Sequence, residues 1–139
     1  MTRTELKDLA RQRLKDADAL YHAGNYDACF YLCGYVVELA LKARICKVLN
    51  LDEYPEIGFR GAFKTHDFKE LKILAGLDLL LIPSPTHPRL DQNWNTVLDW
   101  SPETRYSPVG TTIPQEALDL LNAVRAQPDG VFTWLKKRW

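Results

Sequence analysis

Glu38 is the lone charge in an otherwise uncharged run from Ala28 to Leu41, and two residues a helical turn away decide what its carboxylate can do. Lys42 follows it at i+4 and can pair with it; Gly34 precedes it at i−4 and lets another backbone or a ligand approach closely. Two readings of Glu38 stay open. An i,i+4 pair at the edge of a core is commonly a plain helix-surface ion pair. A carboxylate on a mostly buried helix can instead orient an arginine elsewhere, for instance Arg105, an arrangement that costs little only if the charges meet.

A second concentration of chemistry is Asn93-Trp94-Asn95, Asp99-Trp100 and Arg105-Tyr106, at a helix end and the loop after it. An arginine beside aromatic rings can grip a phosphate while a ring stacks on a base, and loops held by a rigid bundle often carry binding residues. The plainer alternatives are that Trp94, at helical spacing, belongs to the core and that Arg105 caps carbonyls at a helix end. His66 sits between Thr65 and Asp67 at a helix start, where the backbone dipole and the neighbouring carboxylate act on it in opposite directions. It is a candidate general base, with a structural hydrogen-bonding role as the rival reading. His22 and His87 carry less support.

Arg3, Lys7, Arg11 and Lys15 recur every four residues and could track a phosphate backbone, but Glu5, Asp8, Asp16 and Asp18 are interleaved with them, so the stripe reads as a solvated face. The terminal Trp134-Leu-Lys-Lys-Arg-Trp139 run is a denser basic patch. A Gly-rich phosphate loop, a nucleophile elbow and a paired-histidine metal helix are all absent from the sequence, which argues against standard hydrolase and kinase chemistry. Cys29, Cys33 and Cys46 lie among apolar residues of one helix and suit reduced core fillers; without CxxC or HxxxH spacing they make a poor zinc site, and no metal or cofactor is expected. Eighteen basic residues balance eighteen acidic ones, so any anion binding must be local. The N-terminus lacks a signal-peptide core and the most apolar stretch is too short to span a bilayer, which predicts a cytoplasmic chain with no membrane partner.

The elements that must position these groups are helical. Leu6, Leu9, Ala10, Leu14, Ala17 and Leu20 recur at helical spacing, with Thr2 or Thr4 as cap and Gly24 as stop. Asn25 can cap a second helix from about Tyr26 to Leu49, apolar on nearly every face and therefore central. The short linker makes the first two helices an antiparallel hairpin. Pro55, Gly58 and Gly61 mark a loop; Asp67 and Glu70 form a capping box for a short third helix; Leu79 to Ile82 reads as a helix end or apolar tether. A fourth helix carries Leu90, Trp94, Val97 and Leu98 and closes at Ser101-Pro102. Pro114 opens a fifth, and Pro128-Asp129-Gly130 separates it from a last one with Val131, Trp134 and Leu135. With 139 residues, 46% of them hydrophobic, the expectation is a single all-α domain over 1–139, an antiparallel bundle of four to five main helices.

Residues 9–45, together with Thr65-His-Asp-Phe-Lys-Glu-Leu71, the Asn93 to Tyr106 block and the closing Gly130 to Trp139 run, resemble the HEPN superfamily. The pattern Arg13-Leu14, Ala17, Leu20, Gly24, Tyr26 running into Glu38-Leu39-Ala40-Leu41-Lys42 is the most telling part. The resemblance implies an HEPN-like helical bundle, commonly a homodimer, working around RNA. Many such proteins are metal-independent endoribonucleases of toxin-antitoxin, defence or RNA-processing systems, and some sit beside a nucleotidyltransferase. The ribonucleases place an arginine four to six residues before a histidine, the arginine stabilising phosphorane-like charge and the histidine moving the 2′-hydroxyl proton.

Arg105 stands about where that arginine is expected, but Tyr106-Ser-Pro-Val-Gly-Thr111 follows it and holds no histidine. Arg60 precedes His66 at the right spacing, with Gly61 interrupting, in the loop before the third helix. The leading expectation is therefore a non-catalytic HEPN-like domain that binds RNA, a nucleotide or a partner such as a nucleotidyltransferase. Its groove would be lined by Glu38, Lys42, Arg105 and Tyr106 with Asp99, Trp100 and His66. The alternatives are a ribonuclease using Arg105 or Arg60 with His66, and a structural adaptor.

Overall fold

The computed structural model of the chain describes residues 1–55, 61–78 and 87–139. Within them the protein is all-α: α1 Arg3–His22, α2 Tyr26–Val48, α3 Phe68–Leu74, α4 Pro88–Leu98, α5 Pro114–Arg125 and α6 Val131–Leu135, with a 3-10 turn, Pro102–Tyr106, between α4 and α5. Arg60 and the Leu79 to Ile82 run lie outside the described residues.

Local chemistry explains most boundaries. Thr2 caps α1, its hydroxyl accepting the Glu5 N–H at 3.2 Å while the Glu5 carboxylate accepts the Thr2 N–H at 2.8 Å. Gly24, at φ +79°, makes the left-handed turn that reverses the chain into α2. At α3 the capping box is only half made. Asp67 accepts the N–H groups of Lys69 and Glu70, but the return bond to the Asp67 N–H comes from the Thr65 hydroxyl, at 3.1 Å, rather than from Glu70. Asn25 stands at the N-cap of α2 without a side-chain bond. The segment after α4, read in sequence as a loop, winds into the 3-10 turn because Pro102 sets the first φ and the Ser101 hydroxyl accepts the Glu103 N–H.

α2 is the axis of the bundle. Cys33, Val36, Val37, Ala40, Leu41, Ala43, Ile45 and Cys46 are all fully buried, and the helix packs against α1, α3, α5, α6 and the 3-10 turn. A helix apolar on nearly every side has no other stable place. The three cysteines are free and buried. Trp94 belongs to the core, and so does Trp139, whose indole closes against Phe132 edge to face at 5.3 Å. No helix among the described residues is long and apolar enough to cross a membrane.

Candidate functional site

Tyr31, Tyr35, Glu38 and Lys42 follow one another at intervals of four, three and four residues, which aligns them in a single stripe along α2. The lower half of this stripe is charged and closed over. Glu38 is 1% exposed, and its Oε1 accepts hydrogen bonds from Lys42 Nζ at 2.9 Å and His66 Nδ1 at 2.8 Å. With Lys42 donating to the same oxygen the carboxylate acts as acceptor, so Nδ1 carries a ring hydrogen and Nε2 is left for another partner. The His66 side chain is 48% exposed. Lys42 is sheltered between the carboxylate and the Tyr54 ring, whose centroid lies 5.0 Å from Nζ. Glu38 Oε2 is buried without a hydrogen-bond partner, as is Trp100 Nε1.

The pair expected from the spacing of Glu38 and Lys42 is therefore present, but it lies in the core and not on the helix surface. The tertiary partner of the carboxylate is His66 and not Arg105. Arg105 lies on the exposed last turn of the 3-10 segment, its guanidinium 4.9 Å from the Tyr106 ring centroid. The oxygens of Tyr31 and then Tyr106 raise its pKa further above the ordinary arginine value. Tyr106 is 72% exposed. Between the two halves, Tyr35 titrates above the ordinary phenol range, first because it is partly buried and then because Glu38 repels a phenolate.

Trp100 fills the space that Gly34 leaves. Its indole lies on the glycine, stacks on Phe68 at 5.2 Å and tilts against Tyr31 at 6.1 Å. The gap at Gly34 admits a side chain of the protein itself. A cavity of about 300 Å³ opens beside it, lined by His66, Lys69, Trp100, Ser101 and Pro102 among others. Asp99 belongs elsewhere: it lines a separate cavity of about 330 Å³ with Thr104, Ser107, Glu116 and Asp119. The structure thus unites Glu38, Lys42, His66 and Trp100, sets Arg105 and Tyr106 on the neighbouring surface, and directs Asp99 away. Tyr31 and Tyr35 were missed in the sequence, although their helical spacing to Glu38 could have shown them; Tyr54, arriving from a loop, had no local signal. No group of three or more metal-binding side chains occurs among the described residues.

The loop carrying this surface is tied down by Asp27, in the first turn of α2. Its carboxylate accepts the N–H groups of Gly110 and Thr112, which hold its pKa below the ordinary aspartate value. A depressed folded pKa means that the tether is complete above the unfolded aspartate pKa and is lost as the pH falls through the folded value. Asp27→Ala should therefore speed hydrogen exchange at Gly110 and Thr112 at neutral pH, whereas wild type should lose that protection only in acid, below the ordinary aspartate range.

The described residues thus form a helical bundle in which one buried carboxylate joins a sheltered lysine to a half-exposed histidine. The chain belongs to the HEPN family, whose domain model matches residues 4–127. No curated protein and no solved structure matches it.

Proposed function

We propose that this chain is an RNA- or nucleotide-binding HEPN domain whose binding surface is the Arg105, Tyr106 and Tyr31 face. The observation that carries the reading is a fully exposed guanidinium set over one tyrosine ring and beside another, a charge for a phosphate next to a ring on which a base can stack. Family membership supports a ribonuclease or nucleotide-related role in general. No histidine follows Arg105 as far as Pro128, which favours binding without cleavage.

The Glu38–His66 pair favours a second reading, a metal-independent endoribonuclease. A buried carboxylate on Nδ1 fixes the orientation of the ring and leaves Nε2 free to face a substrate, the arrangement a proton-transfer catalyst needs. Purified protein incubated with mixed RNA in EDTA separates the two. Salt-sensitive binding without cleavage, weakened about tenfold or more in Arg105→Ala, is the expected result. Cleavage that disappears in both Arg105→Ala and His66→Ala would replace the first reading with the second.

A homodimer, and a nucleotidyltransferase as partner protein, belong to the same proposal on family grounds. A monomer mass by light scattering at working concentration would remove the dimer from it.

A further inference from the structure

The basic stripe of α1 is less neutralised in three dimensions than in sequence. Glu5 turns to the helix start, where it accepts from the Thr2 N–H and hydroxyl. Asp16 is taken by Gln12 and Arg13, and Asp18 by Arg125 and His22. Only Asp8 stays on the stripe, paired with Arg11 at 2.8 Å. Among the described residues Arg3 and Lys7 have no carboxylate within ion-pair distance, and Lys47, exposed at the end of α2, has none either.

Folding also concentrates the cations. The pKa of Lys7 falls below the ordinary lysine value, first through burial and then through the charges of Arg3, Arg11 and Lys47, with Asp8 opposing. Lys7 and Arg11 lie over the Trp139 ring at 5.6 and 5.0 Å, and Arg44 holds the neighbouring Arg138 carbonyl at 2.8 Å, so the C-terminal Trp139 is docked against the same face. Arg3 and Lys47 share a cavity of about 370 Å³ with Thr4 and Asn50, and Asp52 is a carboxylate on its wall.

We propose that Arg3, Lys7, Arg11 and Lys47 form a second binding surface, independent of the Arg105 face, that takes the phosphate backbone of single-stranded RNA without reading its sequence. Three cations spaced four residues apart stand about 6 Å apart along a rigid helix, which suits a linear array of phosphates better than a single anion. Trp139, the aromatic ring under Lys7 and Arg11, is 6% exposed. It can neither stack on a base nor enter a lipid interface, which leaves electrostatic backbone contact as the mode of binding.

The test is fluorescence anisotropy with a fluorescein-labelled 20-mer of uridine across a salt series, for wild type, Lys47→Glu, Lys7→Gln/Lys47→Gln, Lys47→Arg and Arg105→Ala, each checked for folding by thermal melting. Lys47→Glu should weaken binding about fivefold or more, and the double variant should lower the salt slope by about two. Lys47→Arg should bind like wild type. Binding that is unchanged in Lys47→Glu and in the double variant overturns the proposal, and if it is then lost in Arg105→Ala the Arg105 face stands alone. Vesicles containing phosphatidylserine form a parallel arm. Lys47-dependent capture of vesicles without RNA binding would assign the face to membranes and overturn the proposal equally.

Discussion

Gly34→Ala is expected to destabilise the protein by roughly 2–4 kcal/mol, although alanine is the better helix former. A Cβ at this position would stand 2.0 Å from Trp100 Cδ2, 2.1 Å from Cε2 and 2.4 Å from Cγ, distances that no side-chain adjustment at residue 34 can relieve. The indole cannot simply retreat, because Phe68 stacks on it with only 13° between the ring planes. Either α2 shifts, which strains a helix packed on several sides, or Trp100 leaves its site. Loss of a buried tryptophan costs about 3–5 kcal/mol, against which the helix-propensity gain of about 1 kcal/mol is small. Denaturant unfolding gives the magnitude. A red shift in tryptophan emission that is absent when Gly34→Ala is made on a Trp100→Leu background shows the cause. Wild-type stability in Gly34→Ala would mean that the indole does not occupy the glycine's space.

The contrast between Gly34 and its occupant shows what kind of information lay in the sequence. A glycine one turn before a lone glutamate announces a close approach, because helices rarely keep glycine in their interior without a packing reason. Which group approaches is set by the path of the chain 66 residues later, at Trp100, and no local pattern encodes that. The same division runs through the whole molecule. Helix ends at Thr2, Gly24, Asp67 and Pro114 rest on caps and turn residues within a few positions of one another, and those were legible. The central place of α2 followed from its lack of a polar face. The Glu38–Lys42 bond is an i,i+4 pair and was legible too, whereas the His66 bond spans 28 residues and was not. Arg105 looked like the partner because a buried carboxylate needs a cation, but it is Lys42 and His66 that donate, both to Oε1. The α1 stripe erred in the other direction. Counting charges along the chain cannot show that Glu5, Asp16 and Asp18 are drawn off to caps and to neighbouring side chains.

Removing the Glu38 carboxylate should be the most damaging change to the site itself. In Glu38→Ala the Lys42 ammonium, with its side chain 14% exposed, loses its counter-charge and keeps only the Tyr54 ring, while a void opens beneath His66. Breaking a buried pair from one side costs about 3–5 kcal/mol. The lower end applies here, because His66 is half exposed and can be hydrated. Glu38→Gln keeps the acceptor oxygen that both donors share and loses only the negative charge, so it should cost less, about 1–2 kcal/mol. The decisive measurement is the double-mutant cycle with Lys42→Met. If the cost arises from a stranded ammonium, Glu38→Leu/Lys42→Met should be more stable than Glu38→Leu alone, since replacing both partners by apolar groups removes the desolvated charge along with its mate. Additive losses would instead place the energy in the Glu38–His66 bond. That bond has its own readout: nitrogen NMR of His66 should show hydrogen on Nδ1 in wild type and a shift toward the ordinary solution mixture of tautomers in Glu38→Gln, where the fixed anionic acceptor is gone. A ring that keeps its tautomer without the carboxylate would be held by something other than Glu38, and Nε2 would lose the geometric case for acting as a base.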